Sequence, residues 1–131
     1  MKKVKIVVID DEKDFTMLLK LNLEETGLYE VFVMNEGAEA LKTIKRVNPE
    51  IVLLDIIMPD LDGFKVLELI KNDPQINTVS VMMLTALDTL EDREKAQRLY
   101  NECYLVKPTP LDVLVEEIEK VVKRRTQAGL S

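Results

Sequence analysis

Five short apolar runs alternate with longer segments whose apolar residues recur every three or four positions, and this alternation most narrows what the chain can fold into. The runs are Val4 to Ile9, Tyr29 to Met34, Ile51 to Leu54, Val79 to Leu84 and Tyr104 to Val106, rich in Val, Ile and Leu. The first, third and fourth are almost continuously apolar, as strands covered on both faces of a parallel sheet must be. The second alternates, Val31 and Val33 against Glu30, Phe32 and Met34, and reads as nearer an edge. Between the runs lie helix-like stripes: Phe15, Leu18, Leu19 and Leu23, ended by Gly27; Leu41, Ile44 and Val47, ended by Asn48-Pro49; Val66, Leu67 and Ile70, ended by Asp73-Pro74. The last stripe, Leu111, Leu114, Val115, Ile118, Val121 and Val122, is the cleanest. The segment Thr89 to Tyr100 is mostly charged and leaves Leu90, Ala96, Leu99 and Tyr100 as its only anchors, so it is expected to be the least firmly packed helix. Repeated β-α alternation predicts an α/β fold, a doubly wound five-stranded parallel sheet with helices on both faces.

With 131 residues, 47% of them hydrophobic, the chain is sized for one domain with a real core. No apolar run approaches the roughly 20 residues of a membrane span. Met1-Lys2-Lys3 leads directly into the first strand with no signal-like cleavage site. One cysteine, Cys103, permits no internal disulfide, and a cytoplasmic location is expected. The absence of histidine excludes His-based triads, His-ligated metals and His phosphocarriers. A net charge of −6 argues against direct nucleic-acid binding. From about Lys120 the composition turns basic and then small and polar, suggesting a helix fraying into a tail or cut linker over 124–131, after a domain of 2–123.

Ligands of open parallel sheets bind beyond the carboxyl ends of the strands. There the chain places Asp10 and Asp11 after the first run, Asp55 after the third, Thr85-Ala86 after the fourth and Lys107-Pro108 after the fifth. Singly, each has an ordinary explanation: Asp and Thr cap helices, Asp55 opens a turn-rich stretch, and Lys107 is a solvated charge. Together, three convergent carboxylates repel one another unless something positive sits among them. Mg²⁺, or Mn²⁺, suits such a site, and Lys107 suits a phosphate oxygen. The chemistry allowed is phosphoryl transfer to Asp55, a carboxylate already ionised at neutral pH and in need of no base.

These residues carry a specific resemblance. Val8-Ile9-Asp10-Asp11-Glu12, Leu53-Leu54-Asp55-Ile56-Ile57-Met58-Pro59-Asp60-Leu61-Asp62-Gly63, Leu84-Thr85-Ala86 and Tyr104-Leu105-Val106-Lys107-Pro108 together resemble the receiver domains of two-component response regulators, from about Lys2 to Lys123. The resemblance implies a flavodoxin-like (βα)5 fold with strand order 2-1-3-4-5. It implies phosphorylation of Asp55 by a histidine kinase or phosphotransfer protein, with Asp11, Asp55 and the Ile57 carbonyl on the metal and Asp10 acting directly or through water. It makes Thr85 and Tyr104 the switch pair, places Lys107 on the phosphoryl group, and gives Pro108 a cis bond. The output surface is then the fourth helix, fifth strand and last helix, controlling a downstream partner or effector domain.

Several positions depart from the family pattern. Ile57 and Leu87 flank the site with side chains that exclude water, so slow self-dephosphorylation is expected. Asn101-Glu102 replaces a small pair, and Thr109-Pro110 follows Lys107-Pro108, with Thr109 expected to cap the last helix and Pro110 to enter its first turn. Cys103 stands where transcription-factor relatives often carry an acid, which puts their salt-bridged homodimer in doubt while leaving a phosphorylation-dependent dimer open. Met82 and Met83 read as core, and Cys103 as an inert thiol. Competing readings are weaker. An aspartate-nucleophile phosphohydrolase would need an Asp at position 12, where Glu stands; a flavin carrier would need a hydroxyl- and glycine-rich loop where Asp10-Asp11 stands. A scaffold that is never phosphorylated is at odds with the intact acid set.

Overall fold

In the computed structural model, which describes residues 2–86, 89–98 and 103–129, the apolar runs pair as one parallel sheet. Its strands are β1 (Val4–Ile9), β2 (Tyr29–Met34), β3 (Ile51–Leu54), β4 (Ser80–Thr85) and β5 (Cys103–Val106), in the order β2-β1-β3-β4-β5. The order expected from the resemblance is the one observed, with β2 at an edge. Five helices connect or follow them: α1 (Lys13–Glu25), α2 (Ala40–Val47), α3 (Gly63–Asn72), α4 (Leu90–Arg98) and α5 (Leu111–Gln127). A two-residue antiparallel hairpin, Ile57–Met58 with Leu61–Asp62, stands outside the sheet.

Strand alternation feeds two cores at once. Val7 and Ile9, Val52 and Leu54, Val81 and Met83 point to one face, where Ile44 of α2 and Leu67 and Ile70 of α3 cover them. Ile6 and Val8, Ile51 and Leu53, Met82 and Leu84 point to the other, under Leu19 and Leu23 of α1 and Leu114, Ile118 and Val121 of α5. Nearly continuous apolar runs were therefore needed in β1, β3 and β4 because the middle of each is sealed on both sides. Met82 and Met83 are core residues, one on each side. Helix ends follow backbone rules: Gly27 takes a positive φ of 79° beyond α1, and Asn48 closes α2 in the left-handed region at 53°.

Four details differ from expectation. Leu18 is 55% exposed, and Thr16 is buried in the α1 stripe instead because its hydroxyl accepts a hydrogen bond from Asn35. Leu90 is 73% exposed rather than a buried anchor; among the described residues, Lys95 of α4 lies over the Phe64 ring and Arg93 over the Tyr104 ring. Of its other expected anchors, Leu99 and Tyr100 lie outside the described residues, as do the Ala96 side chain and the pair Asn101-Glu102. Thr109 does not cap α5: its hydroxyl donates to the Val106 carbonyl, and Pro110 holds the N-cap position.

The fourth detail concerns the basic end. Rather than giving way to a tail at residue 124, α5 continues to Gln127, where Arg125 is buried and donates to the Thr78 carbonyl at 2.8 Å and the Ser80 hydroxyl at 2.9 Å. It ties the last turns of α5 to the start of β4. Arg125→Met keeps the stem and deletes the donors to the Thr78 carbonyl and the buried Ser80 hydroxyl, so it is expected to lower stability by about 1–3 kcal/mol with an unchanged denaturant slope in urea unfolding.

Candidate functional site

The parallel register carries four strand ends to one edge. Ile9 pairs with Leu54, Leu54 with Met83, and Thr85 with Val106, so the residues that follow are neighbours. Two backbone bonds extend the ladder past the apolar runs: Asp55 N–H donates to the Ile9 carbonyl at 3.0 Å, and Lys107 N–H to the Thr85 carbonyl at 2.7 Å. Asp10 and Asp55 are thereby held side by side, both almost wholly buried. Asp11 joins them from the rim, and one carboxylate oxygen from each of the three lies within 4.8 Å of the others. Thr85 is fully buried at the end of β4, and the Lys107-Pro108 bond is cis.

Lys107 answers this concentration of negative charge. Its Nζ lies 2.8 Å from Asp10, 3.2 Å from Asp55 and 2.6 Å from Glu12. Burial works against the ammonium, but hydrogen bonds to Asp10 and Glu12 and the charges of Asp10 and Asp55 outweigh it and push the lysine pKa up. Burial dominates at Asp10, whose pKa is raised despite the lysine and the Glu12 N–H that donates to its Oδ1. A carboxyl whose folded pKa lies above its unfolded value contributes least to stability once ionised: the penalty sets in as pH rises from about 4 through the folded pKa. Asp10→Asn is accordingly expected to raise the thermal midpoint of the metal-free protein at neutral pH, with the difference from the native chain vanishing toward pH 3. A lower midpoint at both pH values would contradict this.

The acid set fits one small hard cation. Ligands on opposite sides of Mg²⁺ stand about 4.2 Å apart, so the observed spread closes with small side-chain rotations. Such a cation would displace Lys107 from Asp10 and Asp55 but not from Glu12, which stands outside the acid triad.

Tyr104 is half-buried on β5 with Arg93 5.2 Å above its ring, and Ile57 is 51% exposed at the mouth with its N–H on Asp55 Oδ1. Leu87 lies outside the described residues. Cys103 is partly buried, and burial together with Glu117 pushes its thiol up to about 11, which leaves it protonated and unreactive. Supporting residues were less visible beforehand. Asn35 donates to the Asp10 carbonyl; it directly follows β2, so extending the strand-end rule to that strand would have found it. Asp60 accepts from the Gly37 N–H, linking the two loops beside Asp55. Gly63 packs its α-carbon against the backbone of Asp55 and Ile56.

Comparison with known proteins settles the family. The response regulator receiver domain model matches residues 6–119. The chain belongs to the response regulator receiver domain family. It is 38% identical over 129 residues to the probable transcriptional regulator ycf27 of Porphyridium aerugineum, covering 98% of this chain and 52% of that protein. It is 32% identical over 127 residues to the alkaline phosphatase synthesis transcriptional regulatory protein PhoP of Bacillus subtilis, covering 97% and 52%. The chain thus spans about half the length of these relatives. Among solved structures it is similar to a CheY-like receiver domain protein from Methanospirillum hungatei, with TM-score 0.86, 26% identity and coverage of 96% and 99%. It is also similar to the receiver domain of a LuxO repressor protein from Vibrio parahaemolyticus, with TM-score 0.87, 25% identity and coverage of 98% and 96%. Receiver domains are signalling switches of two-component systems, and the family binds Mg²⁺ at an acidic pocket. Among the described residues no helix is long and apolar enough to cross a membrane.

Proposed function

We propose that this receiver domain is a phosphorylation-dependent switch in which Asp55 takes a phosphoryl group from a histidine kinase or phosphotransfer protein and passes the signal to an effector domain or partner. The observation that carries the reading is the gathering of three carboxylates within 4.8 Å, with one ammonium bridging two of them. In the transfer, a carboxylate oxygen of Asp55 forms a bond to phosphorus while the donor's bond to phosphorus breaks, and the electron pair leaves with the donor. Mg²⁺ or Mn²⁺ held by Asp10, Asp11, Asp55 and the Ile57 carbonyl would neutralise charge on the phosphoryl oxygens. Lys107 then pairs with one such oxygen and the Thr85 hydroxyl donates to another.

The switch follows from added charge. A phosphoryl group brings about two negative charges and strong acceptors, which draw Thr85 and Lys107 inward and open room for Tyr104 to follow. Tyr104 lies under Arg93 of α4, so its movement changes the surface made by α4, β5 and α5, the proposed output face. The exposed Ile57 side chain cannot orient a water, which favours a long-lived aspartyl phosphate. Cytoplasmic action, and a phosphorylation-dependent homodimer through the output face, fit this reading.

Incubation with Mg²⁺ and a small acyl phosphate, followed by intact mass, tests it. Gain of one acid-labile phosphoryl group, absent in Asp55→Asn and with chelator, is the expected result; no gain in the native chain would overturn the proposal.

A further inference from the structure

Glu12 makes the shortest of the three contacts to Lys107, 2.6 Å, and it is the only one of those three carboxylates outside the acid triad. It also sits differently. Asp10 and Asp55 are buried, whereas the Glu12 side chain is 59% exposed at the rim. Glu12 occupies the N-cap position of α1, yet its side chain makes no capping bond; what its side chain touches is the lysine. Both residues line a cavity of about 390 Å³ beside the mouth, together with Phe15, Leu84, Pro108 and Thr109.

We infer that Glu12 is a positioning residue that holds the Lys107 ammonium toward the rim in the resting state and so opposes phosphoryl loading of Asp55. The inference rests on the phosphoacceptor reading above and adds a residue to it. Two effects act in the same direction. Once a metal has taken Asp10 and Asp55, Glu12 is the partner that Lys107 keeps, so a phosphoryl oxygen deeper in the site must draw the ammonium away from that 2.6 Å contact at the rim. The Glu12 carboxylate also repels an incoming phosphoryl dianion at the mouth. Toward a cation both effects reverse: Glu12 draws Lys107 away from Asp10 and Asp55, clearing their oxygens, and its own charge attracts the metal.

The test is Glu12→Gln, which keeps the length and the helix start while removing the charge. Two affinities are read by calorimetry on the native and variant chains: Mg²⁺ alone, and beryllium trifluoride, a phosphoryl mimic, at saturating Mg²⁺. The expected result is opposite movement, with Mg²⁺ binding weakened about two-fold and beryllium trifluoride binding tightened about two- to five-fold, the range of a partly exposed ion pair. Phosphorylation by a small acyl phosphate should quicken by a similar factor. A merely structural Glu12 would weaken both affinities or leave both unchanged, and either outcome overturns the inference. If the native chain binds Mg²⁺ and the mimic normally, such a failure belongs to Glu12 alone. If the native chain binds neither, the phosphoacceptor reading falls, and this inference with it.

Discussion

Gly63→Ala is expected to destabilise the domain by about 2–3 kcal/mol and to slow phosphorylation of Asp55 by about 10- to 100-fold. A β-carbon at this position would stand 2.6 Å from the Ile56 α-carbon and 2.7 Å from the Asp55 carbonyl oxygen. Both are main-chain atoms, so no side chain can turn aside to make room. The obstruction falls on the loop that carries Asp55, the proposed acceptor: Gly63 N–H donates to the Ile56 carbonyl at 3.0 Å, and the Ile57–Asp62 hairpin closes the loop on itself. Relief requires either parting that bond or pushing Asp55 away from Asp10. Urea unfolding gives the stability, and intact mass over time gives the rate. A variant with native stability and rate would show that the loop is not the rigid seat described.

Lys107→Met has the second large effect, and its sign depends on the metal. Without a divalent ion, the variant leaves Asp10 and Asp55 buried and unneutralised. Breaking an enclosed pair costs about 3–5 kcal/mol; here water reaches the mouth, so about 2 kcal/mol is expected at neutral pH. The lysine pKa is raised in the folded state, so its contribution is fully present below the unfolded value near 10.4 and is lost only as pH rises through the folded one. Mg²⁺ should reverse the defect. With its competitor for Asp10 and Asp55 gone, the ion binds the variant more tightly, and mass action then raises the midpoint further than in the native chain. Thermal unfolding with and without Mg²⁺ checks both halves. Equal midpoints for the two metal-free proteins would contradict the role of Lys107 as internal counter-ion.

The architecture was legible because its cause is local. Where a strand is sealed on both sides it must be apolar at successive positions, and Ile6 to Ile9 and Ile51 to Leu54 announce that in consecutive residues. Strand-end chemistry was legible for a related reason: once parallel strands are assumed, Asp10, Asp55, Thr85 and Lys107 must share an edge, whatever the helices do. What escaped depends on partners distant in sequence. Thr16 reads as a poor core residue until Asn35 reaches it from the end of β2. Arg125 looks like one charge in a solvated tail, yet its partners Thr78 and Ser80 lie more than forty residues earlier. Leu18 and Leu90 satisfy helical spacing, but periodicity does not say how wide the covered stripe is. Gly63 could be seen as a turn residue; that it rests on the backbone of Asp55 and Ile56 required the three-dimensional packing.

Four strand ends forming one cation-dependent centre around Asp55 would respond to the ion as a unit. Backbone amide NMR during a Mg²⁺ titration addresses it most directly. Shifts that saturate together and concentrate at 10–12, 55–57, 85–86 and 107, and that disappear in Asp11→Asn, are the predicted result. Shifts scattered over surface acids such as Glu68 and Glu116, or none at millimolar Mg²⁺, would contradict it.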